Sequence, residues 1–223
     1  FVEIPKRLYF QVNQALDATC IRPVQEGYFP GAVQTGNTVG DVPGQTIGNI
    51  TENQQGLSGQ GVLVGIVDSG VDWQHPDFCN KDGTSRILRL WDQSLLAKPG
   101  EDPPEGYAAG VEYTKTDIDR ALRLSGAEGK QIVREQDFSG HGTSVLGIAA
   151  GNGRASGGVN RGAAYASDII AVKMGIPGEN SFPRTAELMQ GVDYLVRQAA
   201  ELGRPMAVNI SFGNNYGSHE PYN

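Results

Sequence analysis

The sequence predicts an α/β fold with a parallel central sheet and helices on both faces. Three observations carry that expectation. Apolar runs of strand length, VLVGIV, DIIAVKM and MAVNISF, read as strands buried on both sides. A long amphipathic segment, Thr185–Leu202, lies between the last two of them. Strands and helical segments alternate along the chain, which is the βαβ pattern.

The elements follow in order. Residues 1–25 mix charge with short apolar groups and read as an N-terminal arm. Residues 26–60 are rich in Gly, Pro, Gln, Asn and Thr, with turn dipeptides Pro30-Gly31 and Pro43-Gly44, and read as an extended surface loop. Val62–Val67 is the first strand, closed by Asp68-Ser69-Gly70, and Ile87–Trp91 the second. Thr116–Ser125 carries early acidic residues and a helical spacing of Ile118 and Leu122. Thr143–Ala150 is a helix of small and apolar residues, suited to burial. Asp168–Met174 is a strand, and Thr185–Leu202 a helix with Leu188, Val192, Leu195, Val196 and Ala199 on one stripe, stopped by Gly203. Met206–Phe212 is the last strand. Residues 61–223 thus read as one domain.

Composition narrows the function. Hydrophobic residues make up 39% of 223, enough for one sizeable core. With 18 Lys+Arg against 25 Asp+Glu, the net charge of −7 argues against a nucleic-acid surface. No apolar run reaches the roughly 18 residues of a membrane span. Cys20 and Cys79 make neither a disulfide framework nor a CxxC metal site.

Ligands and catalysts in open α/β sheets sit beyond the carboxyl ends of the strands. That rule selects Asp68, at the end of VLVGIV, and Ser211-Phe212-Gly213, at the end of MAVNISF. Gly140-His141-Gly142-Thr143-Ser144 opens a helix, with glycines leaving the imidazole of His141 unobstructed. Taken singly, Asp68 would be an ordinary strand-end turn residue and His141 a satisfied structural histidine. Asp68, Asp72 and His75 could also be read as metal ligands, although no further His or Cys completes a set.

Here the sequence resembles a known family. VDSGVDWQHPDF and GHGTSVLGIAAG look like the Asp and His signature blocks of the subtilisin-like serine proteases (subtilases, peptidase S8). GAAYASDIIAVKM is similar to the segment that follows the catalytic His, and NISFG to the substrate-binding strand. The likeness covers about residues 61–213, apart from an insertion near 81–136 that lengthens the separation of Asp68 and His141 to 73 positions. It implies serine endopeptidase chemistry through an acyl-enzyme: Asp68 orients His141, and His141 acts as general base and then general acid. Ser211, Phe212 and Gly213 would contact a protein or peptide substrate along an added strand. It implies no cofactor for the reaction, and a structural calcium at Asp77.

The nucleophile is the departure. The family's G-T-S-x-A block follows the substrate strand at a distance, and this chain ends at Asn223 before any such block. Ser144 lies three residues after His141 in the same helical start, so it cannot be presented opposite the imidazole. Ser218 belongs to the loop after the substrate strand. The chain is therefore expected to be the N-terminal part of a longer protease, with the serine in a C-terminal remainder or a second chain.

A finer resemblance, through PKRLYFQVNQAL, RILRLWDQ and NISFGNNYGSHE, is to clostridial Csp-type germination proteases. It implies a secreted or spore-associated bacterial protein whose first residues are a pro-segment remnant or the start of the mature chain. Two alternatives stand beside the peptidase reading. One is a non-catalytic protein that keeps the groove to bind peptides; the other, more distant, is a metal-dependent hydrolase using Asp68, Asp72 and His75.

Overall fold

A computed structural model describes residues 8–12 (backbone), 58–124, 127–175 and 185–211. Six strands form one sheet: β1 (Leu8–Val12), β2 (Leu63–Asp68), β3 (Ile87–Asp92), β4 (Val111–Thr114), β5 (Asp168–Lys173) and β6 (Met206–Ile210), in the order β1-β6-β2-β5-β3-β4. All pairings are parallel except that of β3 with β4. The helices are α1 (Lys115–Leu122), α2 (Gly129–Ile132), α3 (His141–Ala150) and α4 (Thr185–Glu201).

The predicted strands and the three predicted helices are present, with no end moved by more than three residues. The helix expected from Thr116 starts at Lys115, because Thr114 caps it in a reciprocal capping box with Asp117. Two strands escaped the sequence reading. β4 is only four residues long, and β1 lies in the segment read as an arm, where its backbone pairs in parallel with β6. Most of the 26–60 loop lies outside the described residues.

Alternation along β2 assigns the two faces. Leu63 and Val67 belong to a cluster with Ile170, Val172, Tyr194, Leu195, Ala199 and Met206, where α4 covers the sheet. Val64 and Ile66 belong to the opposite cluster with Leu90, Ile118, Leu146, Ala150, Ile169 and Ala171, under α1 and α3. Each fully buried Leu or Ile in these layers stabilises the fold by about 1.5–3 kcal/mol. Gly65 faces α4, where a Cβ would lie 2.7 Å from Met206 Sδ and 3.0 Å from Leu195 Cδ1.

That alternation also places the polar ends. Asp68 continues the row of Val64 and Ile66, so it faces α3 rather than α4. Lys173 continues the row of Ile169 and Ala171, and Asp92 the row of Leu90, onto the same face. Ser211 follows Ile210, which is paired with Val67 in the other layer, so the chain delivers it to the Asp68 side. The carboxyl edge of the sheet thus gathers Asp68, Lys173, Asp92 and Ser211 at one end.

Candidate active site

Asp68 and His141 meet at that edge. Asp68 is buried, at 4% exposure. Its Oδ1 accepts from the Ser69 N–H at 2.7 Å and lies 2.7 Å from His141 Nδ1. A carboxylate only accepts, so Nδ1 carries the proton and the lone pair of neutral His141 is on Nε2. The His141 side chain is 55% exposed, leaving the imidazole open to a reactant.

The start of α3 holds His141 in place. Gly140 is in the left-handed region at φ 72°, which a side chain would strain, and it offers no capping oxygen of its own. The unpaired N–H groups of the first turn find partners elsewhere. The His141 N–H donates to Ser139 Oγ at 3.1 Å, the Gly142 N–H to Ser69 Oγ at 3.0 Å, and the Thr143 N–H to Asp137 Oδ2 at 2.9 Å. Asp137 also accepts from the Gly140 N–H, the Thr143 hydroxyl and the Ser69 hydroxyl. Burial alone would raise the Asp137 carboxyl, but these donors, with Thr143 foremost, hold it below its ordinary value. Ser69, the residue after Asp68, is thereby joined to Gly142, the residue after His141.

Gly142 makes the approach of α3 to β2 geometrically feasible. A Cβ there would lie 2.1 Å from the Gly70 carbonyl oxygen and 3.1 Å from both Cβ and Oδ1 of Asp68. The glycine after the histidine thus lets the helix rest directly on the Asp68 turn.

Behind the pair is a group of buried charges. Lys173, 5% exposed, lies 3.7 Å from Asp92 Oδ2, donates to the Gln136 carbonyl, and has its Nζ 5.1 Å from the exposed Phe138 ring. Glu135, 1% exposed, accepts from the Val71 N–H through Oε1 at 3.2 Å, while Oε2 has no hydrogen-bond partner among the described residues. Burial pushes its carboxyl up to about 8, against the lowering effect of Lys173. The sequence reading missed Ser69, Glu135, Asp137 and Lys173. Asp137 had a signal, an acidic residue ahead of a helix start; the others become visible only when distant segments are brought together.

The remaining candidates separate. Ser211 is half-buried, accepts from Asn209 Nδ2 at 3.0 Å and sits at the Asp68 end of the sheet. Phe212 and Gly213 lie outside the described residues. Ser144 donates its hydroxyl to the Gly140 carbonyl at 2.7 Å, within its own helix. His75 Nδ1 accepts from the Asp77 N–H, capping the short turn Pro76–Phe78, so its lone pair is used locally. Asp72 accepts from the Gln74 N–H. Among the described residues no group of three His, Cys, Asp or Glu side chains could hold a metal.

Asp77, the residue expected to hold a structural calcium, is hydrogen-bonded to the segment that follows α3. Asp77 Oδ1 accepts from the Ala155 N–H at 2.7 Å, and the nearby carbonyls of Cys79 and Asn80 already accept from the Arg154 guanidinium. Cys79 is a buried free thiol, raised above its ordinary value mainly by burial.

A family model described as the subtilase family, peptidase S8, matches residues 59–222. The subtilisin-like protease PopC of Myxococcus xanthus is 27% identical over 162 residues, covering 71% of this chain and 26% of that protein. The major intracellular serine protease of Bacillus subtilis is 25% identical over 148 residues, covering 66% of this chain and 34% of that one. The solved structure of the Clostridium perfringens CspB protease is similar with a TM-score of 0.62 and 36% identity, over 78% of this chain and 33% of that chain. The chain spans about a quarter to a third of the length of these relatives. No helix among the described residues is long and apolar enough to cross a membrane.

Proposed function

Since the chain belongs to the subtilase family of serine peptidases, we propose that it supplies the Asp and His of a serine endopeptidase whose nucleophilic serine comes from outside residues 1–223. The observation that carries this reading is the 2.7 Å contact of Asp68 Oδ1 with His141 Nδ1, beside an exposed imidazole. A serine hydroxyl near Nε2 would lose its proton to His141 as it attacks a peptide carbonyl. The buried Asp68 carboxylate holds the tautomer and stabilises the imidazolium that forms. His141 then returns the proton to the leaving amine, and the same sequence with water releases the acyl group.

The serine belongs either to a C-terminal remainder or to a second chain. Ser144 is not a substitute, because its hydroxyl is tied to the Gly140 carbonyl. Ser211, with Phe212 and Gly213 beyond it, would pair with an extended protein or peptide substrate as an added strand. The resemblance of PKRLYFQVNQAL, RILRLWDQ and NISFGNNYGSHE to Csp-type germination proteases favours a bacterial protein that is secreted or associated with spores.

The test is hydrolysis of a chromogenic peptide by the full-length gene product, or by this chain with its companion. Turnover that is blocked by a serine-directed phosphonate and lost in His141→Ala supports the peptidase. Peptide binding without turnover, unchanged by His141→Ala, supports the peptide-binding alternative instead.

A further inference from the structure

We propose that Glu135 is a positioning residue for the Asp68–His141 pair, its carboxyl clamping the turn that aims Asp68. The turn after β2, Ser69-Gly70-Val71, is held from two sides. On one side α3 rests on it, with Gly142 against the Gly70 carbonyl and the Asp68 side chain. On the other side the Glu135 carboxyl lies against Gly70. A Cβ at Gly70 would be 2.2 Å from Glu135 Oε1, and Gly70 has a φ of 129°, so the turn admits no side chain there. The same oxygen accepts the buried Val71 N–H at 3.2 Å.

Glu135 and Asp137 act from alternate positions of one short segment. Glu135 takes Val71 and Asp137 takes Ser69, so the run leading to His141 grips both ends of the turn leading away from Asp68. The two segments that carry the pair are therefore joined by side chains on either side of Gly70. Removing Glu135 frees one end of the turn and releases the direction in which Asp68 points.

The charged groups around Glu135 are Lys173 on β5, Asp92 on β3 and Asp137 on its own segment. Lys173 is already paired with Asp92 and bonded to the Gln136 carbonyl. What Glu135 supplies to the turn is therefore the acceptor Oε1, which takes the Val71 N–H. A glutamine can reproduce that hydrogen bond; a leucine of similar length cannot.

The activity arm of the test rests on the peptidase reading, whereas a spectroscopic arm does not. In the assembled protein, Glu135→Leu should lower kcat by about 100-fold, the scale of a small misplacement of a catalytic group, with little change in KM. Glu135→Gln should restore kcat close to wild type. The low-field proton resonance of His141 Nδ1–H, which reports its bond to Asp68, should shift or broaden in Glu135→Leu and persist in Glu135→Gln. A folded Glu135→Leu with unaltered kcat and resonance overturns the proposal. If the wild-type protein hydrolyses no peptide, the peptidase reading fails, and the resonance alone decides the role of Glu135.

Discussion

Asp68 Oδ1 and His141 Nδ1 lie 2.7 Å apart, although 73 positions separate them in the chain. The contact depends on strand parity, which turns Asp68 toward α3, and on Gly142, which lets α3 descend onto the strand end.

Asp68→Asn should preserve the shape of the site while offering an amide to the imidazole. The amide favours the wrong tautomer, so kcat of the assembled peptidase should fall by about 10⁴-fold with little change in folding. Steady-state kinetics beside a thermal melt check this.

Gly142→Ala should damage both stability and the pair. The added methyl meets the backbone oxygen of Gly70, which cannot move without moving Asp68. A loss of about 2 kcal/mol or more is expected, in the range of overpacking and backbone strain. Gly147→Ala, where a Cβ meets nothing within 4 Å, is the control and should be close to neutral. Denaturant unfolding of both variants measures the difference.

Arg86→Ala should be among the most destabilising changes in the fold. The guanidinium is 4% exposed and donates to the carbonyls of Asp77, Ala150 and Ser167, tying the start of β3 to the end of α3 and the start of β5. Burial lowers its affinity for a proton, and alanine would remove the guanidinium from the Ala150 and Ser167 carbonyls, while the Asp77 carbonyl keeps the Asn152 N–H. A cost of about 3 kcal/mol or more follows. Chemical denaturation reads it directly.

Stability should fall as pH rises between about 5 and 8, because of Glu135. Its folded carboxyl titrates at about 8, raised by burial from an ordinary 4.5. Between those values the native state keeps a proton that the unfolded chain has lost, so each rise in pH favours unfolding. The Glu135 contribution is on the order of a few kcal/mol across the window. Asp137 works in the opposite sense: its folded carboxyl is depressed, so its stabilisation is lost as pH falls below about 4. Melts from pH 5 to 9 should show the decline in wild type and its loss in Glu135→Gln.

Much of this arrangement was legible in the sequence, for identifiable reasons. β2, β5 and β6 are continuous apolar runs because both faces of a central parallel strand are covered. α4 announces itself by Leu188, Val192 and Leu195 on one face and by Gly203 after its end. Asp68 and His141 were found because each sits at a chain landmark, a strand end and a glycine-flanked helix start. β4 was missed because four residues carry too little periodicity, and β1 because its pairing with β6 joins segments almost 200 residues apart. Glu135 and Lys173 were missed for another reason: their burial is created by tertiary contacts. Nothing local in the sequence reveals that Arg154 engages the carbonyls of Cys79 and Asn80 beside Asp77.

The central claim is that Asp68 and His141 activate a serine lying outside residues 1–223. Its most direct test is fluorophosphonate labelling of the full-length product, or of this chain with its companion, followed by mapping of the modified residue. The account predicts one labelled serine beyond this chain, with labelling abolished by His141→Ala. A label on Ser144 or Ser211, or labelling indifferent to His141, would contradict it.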